Sequence, residues 1–359
     1  MNDAVLPFPP RSKPRSKDRP PKSLGRESLA WVFSGLRASP AWVTRRRDGF
    51  TWWATGHATR VWAEPPVTHD GFELTRLHAE TAFIRGAKTG AETDAVLANL
   101  NHAAVLDAIV RDEADPSRLT LRSSVFVDRD AVKDTGLLLR QAIGLQALKA
   151  HFTHNLVTPR TGGEPDVTPH PKSGLRTELE ASLRNLDSLS QEFAKRPSRF
   201  EGDELPALLK FFERPPCLLA NGDEADLVAE FPFLGESSLL RLSAHDLNGH
   251  FGTGLRASLT LPVGGTPAER AELVCRLNRL ELEQPTWMHF LGAWCDLEDG
   301  VTFTAFYPNF LFRRHFVLNI GLNFLVRARW VAEKVFHDDW NRVPARSAVE
   351  RLAAREVPS

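Results

Sequence analysis

Leu77, Ala79, Thr81 and Phe83 alternate with Arg76, His78, Glu80 and Ala82. A period of two puts one set on each face of an extended chain, which predicts a half-buried strand over Phe72–Ile84. Around it the chain reads as a small unit of strands and helices. Ser28–Leu36 has helical spacing and stops before Pro40. Trp42-Val43, Asp48-Gly49 and Phe50–Trp53 form the order apolar run, turn dipeptide and apolar run, a hairpin signal. Thr59–Glu64 supplies a further strand, separated from Phe72–Ile84 by Asp70-Gly71. Thr89-Gly-Ala-Glu92 is a capping-box pattern, in which the hydroxyl and the carboxylate satisfy each other's backbone N–H groups at a helix start. Leu119–Phe126 predicts another strand, and about 133–152 a helix.

The same order returns downstream. Glu204–Phe212 reads as a short helix stopped by Pro215-Pro216. Next come Cys217–Ala220, a turn at Asn221-Gly222, and Leu227-Val228, then strands at Ser238–Ala244 and Leu255–Leu261. Thr266-Pro-Ala-Glu269 repeats the capping box, with Pro favourable at the first helical position. Val301–Phe306 is a strand after Asp299-Gly300, and a long helix covers about 313–336. A shift of 176 residues carries Leu29 to Leu205 and Pro40 to Pro216. A shift of 177 carries Thr89 to Thr266, Glu92 to Glu269 and Leu100-Asn101 to Leu277-Asn278. A shift of 182 lays Leu119–Phe126 on Val301–Pro308, the extra residues falling near Gln284–Trp287. Offsets that drift only in loops point to a tandem duplication. The expected fold class is therefore α+β. Two duplicated units, 28–152 and 204–336, each hold an antiparallel sheet packed on helices, and they are arranged as an intrachain pseudo-dimer.

Residues 153–203 are the expected linker. Pro159–Pro171 reads as loop. Leu175, Leu179, Leu183, Leu186, Leu189 and Phe193 make one narrow stripe for a helix near 175–195. Such a stripe either packs back on the units or forms a short coiled coil. Residues 1–23, rich in Pro, Lys and Arg, are expected to be a disordered tail, with weak contact to RNA or anionic lipid as the alternative. Residues 337–359 are expected to be a C-terminal tail.

Composition sets limits. A chain of 359 residues has room for two domains. With 45 basic and 45 acidic residues the net charge is +0, which argues against a specific nucleic-acid binder. No apolar run approaches a membrane span, and the start has no apolar signal region, so a cytoplasmic location is expected. Cys217, Cys275 and Cys295 lack metal-site spacing and read as reduced thiols.

The motifs of catalysis are missing from the sequence. No GxGxxG comes after a strand, and there is no phosphate loop, HExxH or GxSxG. Gly162-Gly163 and Gly264-Gly265 read as backbone turns. His245 and His250 would need a third ligand to hold a metal. No cofactor is expected. Arg45-Arg46-Arg47 near Trp52-Trp53 mixes basic and aromatic residues as single-strand binders do, though a hairpin turn accounts for the arginines. Nine Trp and 22 Phe against a single Tyr leave aromatic surface as the remaining signal. Most of Phe303–Leu318 must be core, but an exposed part would form a contact surface. The candidate partner-contact residues are Trp52, Trp53, Phe310, Phe312 and Phe316.

Leu77–Ile84, Val96-Leu-Ala-Asn-Leu-Asn101 and Leu119–Phe126, with Leu255–Leu261, Leu273-Val-Cys-Arg-Leu-Asn278 and Val301–Phe306, resemble the YbjN-type domain. Its fold is similar to that of the type III secretion chaperones. The resemblance covers 28–152 and 204–336. It implies a non-enzymatic protein-binding module, chaperone-like or adaptor, with an unknown protein as partner and the two repeats paired within a monomer. A self-assembling structural or regulatory protein and an enzyme with an unrecognised site are the alternatives.

Overall fold

The computed structural model describes residues 23–69, 71–200, 217–221, 224–283, 288–313 and 316–338. The basic tail, the helix expected at 204–212, Gly222 and nearly all of the C-terminal tail lie outside the described residues.

The first unit runs α1 (Leu24–Leu36), β1 (Val43–Arg45), β2 (Gly49–Trp52), β3 (Thr59–Ala63), β4 (Val67–His69), β5 (Phe72–Arg85), α2 (Ala91–Leu100), β6 (Ala108–Arg111), β7 (Leu119–Val127) and α3 (Val132–Thr161). A two-residue strand β8 (Glu164–Pro165) and α4 (Ala181–Phe193) come after it. The second unit runs β9 (Cys217–Asn221), β10 (Glu224–Phe233), β11 (Glu236–Ser243), β12 (Gly254–Leu261), α5 (Pro267–Glu283), β13 (Ala293–Leu297), β14 (Gly300–Pro308) and α6 (Phe316–Trp330). The class is α+β, with two antiparallel sheets. No helix among the described residues is long and apolar enough to cross a membrane.

The first sheet is ordered β1-β2-β3-β5-β7-β6, with β4 and β8 both pairing β5. The second is β9-β10-β11-β12-β14-β13. With β4 and β8 set aside, both have one order. Three strands are laid down in sequence, a fourth joins them, and a helix crosses before the last two strands. The last strand pairs with the fourth, leaving the fifth at the far edge.

The Leu-Asn pairs belong to that crossing helix. Asn101 Nδ2 donates to Ile109 O at 3.1 Å, and Ile109 N donates to Asn101 Oδ1 at 2.8 Å. Asn278 does the same with Trp294, at 2.9 and 2.8 Å. Ile109 and Trp294 lie on the edge strands, so each amide closes backbone groups that an edge would leave open. Both asparagines are buried.

The two capping boxes come out differently. At α5 the Thr266 N–H donates to Glu269 Oε2 at 2.8 Å, and the Glu269 N–H reaches Thr266 Oγ1 at 3.3 Å. At α2 the cap position is Gly90, at φ 118°, and no side chain caps the helix. Glycine tolerates that backbone, so the chain enters the helix one residue later than the sequence pattern implies. Helix α3 also outruns its expected end at 152. Thr153, Thr158 and Thr161 hydroxyls donate to carbonyls four residues back, and Pro159, which gives up one backbone hydrogen bond, comes only two residues before the helix ends. The linker packs back on the first unit, with Leu186 and Leu183 of α4 over Gly144 of α3. The stripe is shorter than expected, because Leu175 and Leu179 precede the helix.

The units meet along a seam in which α2 lies on α5. Ser124 and Phe290 exchange N–H···O bonds of 3.0 and 2.8 Å, and the Phe306 N–H donates to Ala104 O at 3.2 Å. The Phe126 N–H donates to His289 Nδ1 at 3.2 Å. Arg76, from β5, donates from Nη1 to Leu282 O at 3.0 Å and from Nη2 to Glu281 O, both in the last turn of α5.

Asn278→Ala removes an amide and leaves two buried backbone groups unpaired, at a cost of about 1–3 kcal/mol. Urea unfolding of the full chain should show it. Thr266→Ala should also lower the midpoint, whereas Thr89→Ala should leave it unchanged. Equal effects at the two threonines contradict the difference in capping.

Candidate functional site

Alternation along β5 turns Leu77, Ala79 and Thr81 toward α3, where Thr81 bonds Thr59 at 2.9 Å and Gln146 at 3.1 Å. Arg76, His78 and Glu80 therefore point to the other face. Register sets their neighbours. Arg60 on β3 stands beside Glu80, which stands beside Arg122 on β7. In the next row Trp62 stands beside His78, and His78 beside Ser124. The second unit covers Arg76, Ser124 and Phe126. The remaining rows open into a cleft of about 750 Å³, walled by Asp112 and Glu113 on one side and by Arg279 and Leu282 of α5 on the other.

Charges in the cleft are largely matched. Glu80 accepts from Arg122 and lies 3.9 Å from Arg118. The His78 ring stacks on Trp62 at 4.8 Å with 9° between planes, and its Nε2 is 2.7 Å from Glu64. Burial pushes His78 down to about 4, against the pull of the Glu64 hydrogen bond. The hydrogen bond from His78 in turn lowers the Glu64 carboxyl. At neutral pH the contact is thus a neutral imidazole donating to a carboxylate. Burial lowers Arg122 as well, and lowers Arg76 to about 10, so Arg76 keeps its charge at neutral pH. The guanidinium carbons of Arg60 and Arg122 lie 4.7 and 5.2 Å from the Trp62 ring centre. Three buried nitrogens of this cluster, Arg60 Nε, Arg122 Nε and His78 Nδ1, have no hydrogen-bond partner among the described residues.

The aromatic residues singled out by sequence stand elsewhere. Trp52 is 0% exposed, and its indole N–H donates to Glu180 at 2.7 Å. Trp53 is buried too, donating to Thr168 O at 3.0 Å. Both are covered by the linker, which sequence periodicity could not place, so neither offers a contact surface. Phe316 is buried against Tyr307 at 5.4 Å. Phe310 and Phe312 are half-buried on the core, Phe312 meeting Phe200 edge-on at 5.3 Å. The five do not form one patch. Arg45 lies over Phe33 at 4.2 Å, and His250 is 3.5 Å from Asp187 of α4. The residues that do converge, Arg60, Trp62, His78, Glu80 and Arg122, are the polar members of predicted strands. Alternation announced their face, but only cross-strand register brings them together.

The cluster offers paired charges and a platform of stacked rings. Among the described residues, the lining of the cleft holds no serine, threonine, cysteine or lysine. Comparison of the chain with protein-family models, with curated proteins and with solved structures finds no match.

Burial holds His57, His78 and His289 each at about 4, against 6.5 in an unfolded chain. The folded state then binds fewer protons than the unfolded state. Stability from these groups is full above about pH 6.5 and falls as pH drops toward 4. Urea midpoints measured from pH 7.5 to 4.5 should decline. His289→Asn, whose amide oxygen can still accept the Phe126 N–H, should make that decline shallower.

Proposed function

We propose that the chain is a non-enzymatic protein-binding module of the cytoplasm, chaperone-like or adaptor in role. In this reading two copies of one α+β unit pair as a pseudo-dimer inside a single chain. Three features support the pairing. The sequence offsets change only in loops. The strand orders agree. Contacts across the seam also recur in reciprocal form, as an isologous interface requires. A shift of 182 carries Ser124 to Phe306. The Ser124 N–H donates to Phe290 O in the run ahead of β13, and the Phe306 N–H donates to Ala104 O in the run ahead of β6.

One observation carries the binding role: the outer face of the first sheet is polar, half-covered, and opens into a walled cleft lined by charges of both signs. A walled cleft with alternating charge suits the side chains of a polypeptide, since opposite charges across an interface fix register and reject wrong partners. Glu80, Asp112 and Glu283 in it are paired with arginines and Glu64 with a neutral histidine, so the cleft presents a charge pattern rather than a reactive group. The resemblance to the YbjN-type and secretion-chaperone fold agrees with this.

The full chain should scatter light as a monomer of 40.1 kDa. Used as bait in extract from its own cells, it should retain a defined protein set. Glu113→Arg and Arg279→Glu reverse two exposed charges at the cleft and should release that set without changing the melting temperature. Retention of the same proteins by both variants sinks the assignment of the cleft.

A further inference from the structure

Residues 288–291, in the connection between α5 and β13, dock on β7 of the first unit. The Ser124 N–H donates to Phe290 O at 3.0 Å, and the Phe290 N–H donates to Ser124 O at 2.8 Å. Two residues along β7, the Phe126 N–H donates to His289 Nδ1 at 3.2 Å. Met288, Phe290 and Leu291 are buried, so side chains hold the run as well. On the side of α6, Arg327 Nη2 donates to His289 O at 2.8 Å. The run meets β7 through one isolated bridge instead of a ladder. Segments of that kind open at lower cost than the sheets they join.

One of these bonds depends on a proton. A neutral imidazole carries its hydrogen on one nitrogen, and a bond accepted at Nδ1 puts that hydrogen on Nε2. Protonation adds a hydrogen at Nδ1 and turns the acceptor into a donor, so two N–H groups then face each other. The surrounding charges do not offset the new one. Arg327 acts on the ring and opposes its protonation. Glu281 of α5 is bound to Arg327 and to the Trp294 indole. Arg76 of β5 donates to the end of α5. Asp128 and Asp134 border the same depression as His289. Asp128 accepts the N–H groups of Asp130 and Ala131, and Asp134 pairs with Arg313 at 3.0 Å. Tyr307 of β14 stays neutral, since burial pushes its hydroxyl well above the usual range.

A proton reaches the ring without unfolding. His289 is half-buried and borders a depression of about 510 Å³ between α3 and α6, where Val326 is exposed. Burial, with Arg327 adding to it, holds the docked ring down to about 4, against 6.5 when it is free. A released ring therefore binds a proton more readily than a docked one. Stability of the docked state is full above about pH 6.5 and is lost as pH falls toward 4. The released fraction gains at most about tenfold per pH unit across that window.

We propose that residues 288–291 form an acid-released latch: protonation of His289 undocks the run from β7 and loosens the seam while both sheets stay folded. Release uncovers Met288, Phe290 and Leu291 and widens the depression. The inference concerns the join between the units and does not depend on the protein-binding role.

The test follows amide hydrogen exchange in the full chain from pH 7.5 to 4.5, each rate being corrected for its intrinsic dependence on pH. Ser124 and Phe290 report on the latch. Ile109 and Trp294, whose N–H groups bond Asn101 and Asn278 inside each unit, report on the sheets. Protection at Ser124 and Phe290 should fall by up to about tenfold per unit below pH 6.5, while Ile109 and Trp294 keep theirs. His289→Asn retains an acceptor for the Phe126 N–H without a titrating ring, and should make protection at Ser124 and Phe290 independent of pH. The imidazole resonances of His289, followed by NMR in the unaltered chain, should titrate together with that loss, and they decide the matter if the variant does not fold. The proposal is overturned if all four amides lose protection together, if Ser124 and Phe290 keep theirs at pH 4.5, if His289→Asn leaves their pH response unchanged, or if they are released while the His289 ring stays neutral.

Discussion

Glu281, in the last turn of α5, holds two buried cations in one place. Its carboxylate takes Arg327 in a two-pronged contact, Nε at 2.8 Å and Nη2 at 2.9 Å, and also accepts the Trp294 indole N–H at 2.6 Å. Its carbonyl takes Arg76 from the other unit. Both Glu281 and Arg327 are fully buried. Charges taken out of water this far are tolerated only when hydrogen bonds satisfy them, and removing one partner of such a pair costs roughly 3–5 kcal/mol. The arrangement therefore fixes α6 on α5 within the second unit and α5 on β5 between the units. The last carbonyls of a helix lack partners within it and carry partial negative charge, so a cation from across the seam is well placed to cap them.

This anchor sets the rest of the seam. With Arg76 locked to the end of α5, its own β5 is held under the second unit, and the neighbouring row brings Ser124 against Phe290. The outer face of the first sheet is thereby divided. One half is sealed by backbone hydrogen bonds and by the Phe126 contact to His289, and the other is left as the charged cleft. The same α5 is the far wall of that cleft, through Arg279 and Leu282. The cleft is thus a consequence of how the units meet, and it would not exist in either unit alone.

The parts of this that could be read from sequence are those set by local rules. The alternation in β5 and β12, the hairpin at Asp48-Gly49 and the Thr266 cap depend on residues a few positions apart, and they appear as expected. The paired Leu-Asn signal was visible, but its purpose was not, because the amide acts on a strand 8 or 16 residues away. The short edge strands β6 and β13 have weak patterns of their own and depend on that amide. Thr89 shows a local rule overridden by one glycine. Trp52 and Trp53 looked like surface candidates because nothing in their spacing reveals Glu180 or Thr168, more than a hundred residues on. The converging cluster of Arg60, Trp62, His78, Glu80 and Arg122 required register, which long-range pairing sets.

The two units differ where the anchor sits, and their outward faces differ with it. A shift of 178 carries Leu77 to Leu255 and therefore Arg76 to Gly254. A side chain at Gly254 would run into Tyr307 O at 2.4 Å and the Phe306 ring at 2.6 Å. The second sheet thus cannot carry a counterpart of Arg76, and Phe306 lies over the glycine instead. Its neighbouring outward positions hold Arg256, Ser258 and Thr260 against Phe306, Thr304 and Thr302, where the first sheet holds His78, Glu80 and Ala82 against Ser124, Arg122 and Thr120. In the paired-unit reading, two identical chains would have to present both kinds of face at once. Joined copies are free of that requirement. One can supply the helix end and the buried anion, while the other supplies the cation and keeps the charged surface beside it.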